Sequence, residues 1–239
     1  MNKFENMGSL DFLRVIEKNS IGLALIDPPY IISKASGFSN MGKKGVQKLS
    51  VYSTEYGEWD DGENFTMNDM QENINEYYRV LKKGGTFITF CDMWKISYIK
   101  EMMQSAGFKQ IRLIEWVKTN PVPINSKRNY LSNCREVALL GVKVGKPTFH
   151  SQYDKGIYHH AICQDKGRFH PTQKPVKLMR ELIRKHSNEG DIVLDTFAGS
   201  ATTLVAAKET GREYMGCELD SACYDKALIR LNNSKYLDV

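Results

Sequence analysis

The chain has 239 residues, of which 41% are hydrophobic and 26% are charged, a composition typical of one globular domain with its own core. It contains no run of 18 apolar residues and no apolar signal core near its start, so we expect neither export nor a membrane partner. The five cysteines are scattered without a Cys-x-x-Cys pair, so we expect no metal, no disulfide framework and a cytoplasmic location. A net charge of +5 fits a polyanionic partner without identifying one.

Apolar periodicity predicts alternating strands and helices. In chain order, the predicted elements are a strand at 21–26, a long polar loop at 31–65, a helix at 67–81 closed by Gly84 and Gly85, a strand at 86–90, a helix at 94–106, strands at 111–117 and 136–142, a polar insertion at 143–171, a helix opened by Pro175, a strand at 192–195, a helix at 201–209, a strand at 213–218 and a helix at 221–232. This order predicts a single α/β domain, residues 1–239, with a mostly parallel sheet and helices on both faces.

A turn of small residues follows the predicted strand 192–195. It begins at Asp195 and contains Gly199, and small residues there let a ligand approach the backbone near the N–H groups that start the next helix. Glu218 ends the following strand, where nucleotide-binding α/β units carry an acid for ribose hydroxyls. The turn is therefore either a cofactor site or a turn whose small residues only pack. It lacks the Gly-Lys-Ser/Thr of a P-loop, which disfavours ATP hydrolysis.

A second candidate site follows the predicted strand 21–26 directly. Asp27, Pro28, Pro29 and Tyr30 combine a carboxylate, a turn stiffened by two prolines and an aromatic ring at the carboxyl end of a strand. Two acceptors can take the two hydrogens of an aromatic amine, and a ring can stack on its heterocycle. The alternative is an ordinary turn whose tyrosine packs in the core.

These motifs, in this order, resemble the amino-methylating DNA methyltransferases of the permuted β class, in which Asp-Pro-Pro-Tyr precedes the cofactor-binding Phe-x-Gly. The matching segments are 19–30, 59–60, 81–85, 116–123, 170–175, 195–203 and 216–220. The resemblance implies a circularly permuted, Rossmann-like fold with a seven-stranded sheet, whose first strand near residues 4–7 is displaced to the start of the chain. It also implies S-adenosylmethionine as cofactor and double-stranded DNA as partner.

By position, the resemblance implies that Asp27 and the Pro28 carbonyl hold the target amino group and that Tyr30 stacks on the flipped base. Contacts with the cofactor are implied for Ser9, Asp27, Thr172, Lys174, Asp195, Phe197, Ala198, Gly199, Ser200, Ala201, Thr202 and Glu218. Among these, Thr172 and Lys174 would contact its carboxylate end and Glu218 its ribose. Ala201 replaces the usual glycine, and we expect it to fit a helix start. Gly8 replaces a usual aspartate, so Ser9 or backbone groups would recognise the cofactor's adenine.

The resemblance favours adenine N6 as the target, because related cytosine-N4 enzymes more often carry serine at the position of Asp27. The mechanism would be in-line methyl transfer to an exocyclic amine whose hydrogens are accepted by Asp27 and Pro28. Three alternatives stay open: a cytosine-N4 enzyme, an RNA or protein-glutamine amino methyltransferase, and a catalytically silent DNA-binding relative.

Basic residues in predicted loops are candidates for phosphate contacts. They are Lys43, Lys44, Lys48, Lys127, Arg128, Arg135 and Arg168. We expect the loop 31–65 to contact DNA and the insertion 143–171 to recognise the target sequence. A homodimer and a companion restriction endonuclease are compatible with the class, and the sequence leaves both open.

Overall fold

The computed structural model describes residues 2–30, 65–121, 131–163, 168–170 and 172–236. The strands are β1 (Lys3–Asn6), β2 (Ile21–Ile26), β3 (Leu81–Cys91), β4 (Lys109–Lys118), β5 (Arg135–Val142), β6 (Ile157–His160), β7 (Ile192–Asp195) and β8 (Glu213–Glu218). The helices are α1 (Ser9–Val15), α2 (Met67–Val80), α3 (Ile96–Ala106), α4 (Val176–His186), α5 (Thr202–Glu209) and α6 (Ser221–Asn233). Within these ranges no helix is long and apolar enough to cross a membrane.

All eight strands form one sheet in the order β1-β8-β7-β2-β3-β5-β4-β6. β5 runs antiparallel to its neighbours β3 and β4, and the other pairings are parallel. β1 pairs with β8, which is the position in the sheet that the resemblance implies for the displaced first strand. The predicted α/β class with a mostly parallel sheet is therefore confirmed.

The central strand β2 is buried on both faces, and its side chains are divided between two cores. Ile21, Ala24 and Ile26 pack in the core that includes α1, α2 and α3, whereas Leu23 and Leu25 pack in the core that includes α4 and α5. A strand covered by helices on both sides is apolar throughout, which explains why residues 21–26 form a continuous apolar run.

Three features differ from the sequence-based expectations. Among the described residues the sheet has eight strands rather than seven, because β6 lies inside the segment 143–171 that was predicted to stand outside the core. Tyr158 of β6 is buried, and the indole of Trp116 donates to the carbonyl of His160 at 2.9 Å. The helix α1 was not predicted, because seven residues give too few turns for a clear helical period.

The sequence suggested that Gly84 closes helix α2, but it does not. The helix ends at Val80 and β3 begins at once at Leu81, so Gly84 lies within the strand with a left-handed φ of 79°. Its backbone N–H donates to the carbonyl of Lys143 at 2.7 Å, and a β-carbon there would lie 2.3 Å from the carbonyl oxygen of Lys146. The glycine therefore allows two backbone segments to touch.

We expect Gly84→Ala to destabilise the protein more than Gly190→Ala does. Both residues have left-handed φ values, of 79° and 78°, but a β-carbon at Gly190 would meet no atom within 4 Å. Gly190→Ala should therefore cost only the backbone term of roughly 1–2 kcal/mol, and Gly84→Ala should cost at least about 1 kcal/mol more for its steric clash. Urea unfolding of both variants measures the difference, and equal losses would contradict the role assigned to the contact with Lys146.

Candidate active site

The carboxyl ends of four parallel strands meet at one edge of the sheet. β2, β3, β7 and β8 all end there, and a cleft of about 1780 Å³ opens along this edge. Pockets for one small ligand usually measure about 300–1,000 Å³, so the cleft has room for two ligands side by side. The strand order reverses between β7 and β2, and open α/β sheets bind their ligands beside such a switch point.

Asp27, Pro28, Pro29 and Tyr30 line this cleft directly after β2. The Tyr30 hydroxyl donates to Oδ1 of Asp27 at 3.2 Å. Lys95, in a short 3-10 turn after β3, donates to the backbone carbonyl of Tyr30 at 2.8 Å. The four-residue arc is therefore fixed by β2 at one end and by Lys95 at the other.

A chain of alternating charges leads from the cleft wall to Asp27. Lys118 pairs with Oε1 of Glu136 at 2.8 Å, Oε2 of Glu136 pairs with Lys174 at 3.0 Å, and Lys174 pairs with Oδ2 of Asp27 at 2.5 Å. The side chain of Lys174 is only 5% exposed, so its ammonium depends on these carboxylates to compensate for lost hydration. Its Nζ also lies 5.0 Å from the centre of the Phe90 ring.

Burial and neighbouring charges oppose each other in this chain. Burial raises the pKa of Asp27, and the ammonium of Lys174 limits that rise. Burial alone would raise the pKa of Glu136, but Lys174 and Lys118 outweigh it and the pKa is lowered. Burial alone would lower the pKa of Lys174, but Asp27 and Glu136 outweigh it and the pKa is raised. Lys174 and Glu136 are therefore both held in their charged forms.

The small-residue turn after β7 forms the neighbouring wall of the cleft. Glu218 joins it to the end of β8, because its Oε2 accepts the Gly199 N–H at 2.7 Å and its Oε1 accepts the Asp220 N–H at 2.9 Å. The Phe197 N–H donates to Oδ1 of Asp195 at 3.0 Å. Each carboxylate oxygen of Glu218 keeps a further lone pair, which suits the hydroxyls of a ribose.

Ala201 lies just before α5 with a left-handed φ of 58°, and it is fully buried beneath the turn. Ala201 does stand at the start of the helix, as expected, but this conformation costs an L-residue roughly 1–2 kcal/mol. A glycine, as the resembling family commonly has, adopts it freely. Ala201 does not line the cleft, so its contact with a cofactor stays a prediction.

The structure brings most of the predicted site residues together. The cleft is lined by Ser9, Asp27, Pro28, Pro29, Tyr30, Arg135, Arg168, Thr172, Lys174, Asp195, Phe197, Ala198, Gly199, Ser200, Thr202 and Glu218. Arg135 and Arg168 are exposed at its surface. The other basic candidates, Lys43, Lys44, Lys48, Lys127 and Arg128, lie outside the described residues, as does most of the loop 31–65.

Asn73, Glu136 and Gln173 are among the polar cleft residues that sequence reasoning did not assign to the site. Asn73 Oδ1 and Gln173 Oε1 are buried and find no hydrogen-bond partner among the described residues. The signal for Asn73 was a polar residue on the apolar face of α2, between Met70 and Tyr77. Buried acceptors without donors are costly, so both fit a ligand that brings N–H or O–H groups.

Three thiols also line the cleft: Cys91 at the end of β3, Cys163 after β6, and Cys223 on α6. Burial raises the pKa of Cys91 and of Cys223 to about 12. Among the described residues, no group of three His, Cys, Asp or Glu side chains is placed to share a metal ion.

A family model described as DNA methylase matches residues 21–228, which include both walls of the cleft. The chain belongs to this family. It is 31% identical over 228 residues to the Type II methyltransferase M2.DpnII of Streptococcus pneumoniae, a match that covers 87% of this chain and 81% of that protein. A 29% identical match to M2.LlaDCHI of Lactococcus lactis subsp. cremoris covers 94% of this chain and 87% of that protein.

Solved structures agree with this assignment. The M1.HpyAVI–SAM complex superposes with a TM-score of 0.71 at 27% identity, covering 97% of this chain and 100% of that one. The cytosine-N4-specific PvuII DNA methyltransferase has a TM-score of 0.70 at 17% identity, which shows a shared fold alone. The chain is thus a DNA methyltransferase, and the resemblance inferred from its motifs is confirmed.

Asp195 should make the stability of this methyltransferase depend on pH. Burial raises its pKa from 3.8 to about 7, so the folded protein keeps a proton that the unfolded chain has lost. This stabilisation is complete below pH 3.8 and is lost as the pH rises to about 7. Asp195→Asn removes the titration but keeps a side-chain oxygen for the Phe197 N–H. Between pH 4 and pH 7, the free energy of unfolding of the wild type should therefore fall by roughly 2–4 kcal/mol relative to that of Asp195→Asn.

Urea unfolding at several pH values gives the comparison. Asp225→Asn, at an exposed position on α6, is the control and should follow the wild-type curve. A curve for Asp195→Asn parallel to that of the wild type would show that Asp195 titrates normally.

Proposed function

We propose that this methyltransferase transfers a methyl group from S-adenosylmethionine to N6 of an adenine extruded from duplex DNA. The observation that carries the proposal is the adjacency of Asp27 and the turn that begins at Asp195, which end the neighbouring parallel strands β2 and β7. One cleft thus contains an amine-binding arc on one wall and a nucleoside-binding turn on the other.

The cleft walls fit the cofactor. Glu218 presents lone pairs for ribose hydroxyls, and Asn73 and Gln173 present buried acceptors that suit an ammonium group. When bound, S-adenosylmethionine supplies an electrophilic methyl group on a sulfonium. Thr172 lies in the same wall, but Lys174 is engaged by Asp27 and Glu136, so its predicted contact with the cofactor's carboxylate has less support.

Asp27 and the Pro28 carbonyl would accept the two hydrogens of the target amino group. The nitrogen lone pair of such an amine is delocalised into the ring, and two acceptors localise it and stabilise the positive charge that develops. Asp27 then takes the proton that becomes acidic once the methyl group is attached. Tyr30 would stack on the base, because an extruded base needs a surface that replaces its former neighbours.

Adenine is favoured over cytosine because an aspartate starts the amine-binding arc. DNA would lie across the exposed Arg135 and Arg168 at the cleft mouth, with the loop 31–65 and the segment 143–171 contributing sequence readout. A cytoplasmic location fits a DNA substrate and five free cysteines. A homodimer would be tested by measuring the oligomeric state in solution. A companion endonuclease would be tested by examining the neighbouring genes.

The first test is a transfer assay with labelled S-adenosylmethionine and mixed-sequence duplex DNA, followed by nucleoside analysis. We expect the label in N6-methyladenine. Label in N4-methylcytosine would keep the site chemistry and overturn the target base. Absence of label from DNA, with the cofactor bound, would overturn the proposed substrate.

Asp27→Ala should abolish methyl transfer, a loss of at least about 100-fold, while leaving cofactor binding unchanged. The variant should fold, since Lys174 keeps Glu136 as a partner. Asp191→Ala is a matched control, because Asp191 also pairs with a lysine at 2.5 Å, Lys82, but lies outside the cleft. Equal loss of cofactor binding and transfer in Asp27→Ala would refute its role as the amine acceptor.

Arg168→Ala should weaken DNA binding and reduce the slope of log K against log salt by about 1, as expected for one lost phosphate contact. Arg112→Ala, at an exposed position on β4 outside the cleft, should leave that slope unchanged. Fluorescence anisotropy over a range of salt concentrations provides both slopes, and identical slopes for the two variants would remove Arg168 from the DNA interface.

A further inference from the structure

Glu136 lines the cleft beside Asp27 but belongs to neither motif. We propose that Glu136 is a positioning residue that holds the ammonium of Lys174 on Oδ2 of Asp27, so that Oδ1 stays available to the target amino group. The inference rests on the proposed role of Asp27 and assigns different partners to its two oxygens, Lys174 to Oδ2 and the target amino group to Oδ1.

The two oxygens of Asp27 are bound unequally. Oδ2 contacts the Lys174 ammonium at 2.5 Å, a short charge-assisted contact. Oδ1 accepts the Tyr30 hydroxyl at 3.2 Å, which exceeds the usual O–H···O range of about 2.5–3.0 Å. A base that stacks on Tyr30 can therefore replace that hydroxyl at Oδ1 at small cost, whereas Lys174 would be costly to displace.

Glu136 keeps Lys174 on one side of Asp27. Its Oε2 lies 3.0 Å from the ammonium, so Lys174 divides its hydrogen bonds between two carboxylates. A buried ammonium left with one carboxylate would bridge both oxygens of that group, because that recovers most of its lost hydration. Without Glu136, Lys174 would therefore neutralise Asp27 and occupy the acceptor that the amine needs.

Glu136 is itself fixed as a negative charge. Lys118 holds its other oxygen, Oε1, at 2.8 Å, and the two lysines lower its pKa despite burial. The charge of Glu136 also raises the pKa of Asp27, so its effect reaches the acceptor through electrostatics as well as through geometry.

The test compares Glu136→Gln with the wild type in steady-state methyl transfer. We expect kcat to fall by about 10-fold to 100-fold, because one acceptor of the transition state is obstructed. The affinity for S-adenosylmethionine, measured by calorimetry, should stay unchanged. The acidic limb of the kcat profile should move to lower pH, since a charge that raises the pKa of Asp27 is gone. Glu136→Asp, which restores the charge, should recover part of kcat and the original limb.

Glu181→Gln is the matched control. Glu181 also bridges two basic side chains, Lys185 and His160, each at 2.7 Å, but lies outside the cleft, so kcat and the pH profile should not change. If Glu136→Gln fails to fold, the double variant Glu136→Gln/Lys118→Met removes the buried pair together and should show the same loss of kcat and the same shift.

The outcomes separate the two proposals. An active Asp27→Ala variant would defeat the proposed function and this inference together. An inactive Asp27→Ala variant combined with a Glu136→Gln variant of unchanged kcat and pH profile would overturn the inference alone. A loss of stability in Glu136→Gln without any shift of the acidic limb would assign Glu136 a purely structural role and also overturn it.

Discussion

Leu23 and Ala24 of β2 lie beside Val193 and Leu194 of β7 in a parallel register, and the site depends on this pairing. Parallel strands end on the same edge of a sheet, so the register places Asp27 and Asp195 next to each other although they lie near opposite ends of the chain. Chain order is thus irrelevant to the chemistry, and a permuted connection can build the same cleft as long as the strand order is kept.

The two walls of the cleft differ in how their charged side chains are paired. On the side of β2, full charges alternate from Lys118 to Asp27, in a chain that needs residues from β4, β5 and the turn before α4. On the side of β7, Glu218 and Asp195 mostly accept backbone N–H groups and leave lone pairs for a ligand. One wall is suited to controlling a proton, and the other to recognising hydroxyls.

The sequence predicted the strands β2, β7 and β8 with their observed bounds, because each combines a short apolar run with a sharp stop signal. It predicted that Asp27 and the turn beginning at Asp195 lie at strand ends, whereas the further site residues came from the resemblance to the family. It could not predict β6, whose four residues alternate exposed and buried at a sheet edge and include two histidines. Short edge strands carry too little apolar patterning to be distinguished from loops.

Glu136 and Lys118 escaped prediction for a different reason. Each sits at the end of a strand and resembles a solvated charge in the sequence. Their ion pair forms only because β4 and β5 are antiparallel neighbours, and pairings of this kind are tertiary information that local patterns do not contain. Lys174 was predicted at the site through its motif, but its partners Asp27 and Glu136 were visible only in three dimensions.

The raised pKa values of Cys91 and Cys223 have a consequence for chemical selectivity. A thiolate is a far better nucleophile toward soft alkylating centres than an aromatic amine, so a thiolate beside an activated methyl group would be alkylated in place of the base. With pKa values of about 12, Cys91 and Cys223 remain protonated at neutral pH. Burial therefore keeps these two thiols from competing, as thiolates, with the weak amine for the methyl group.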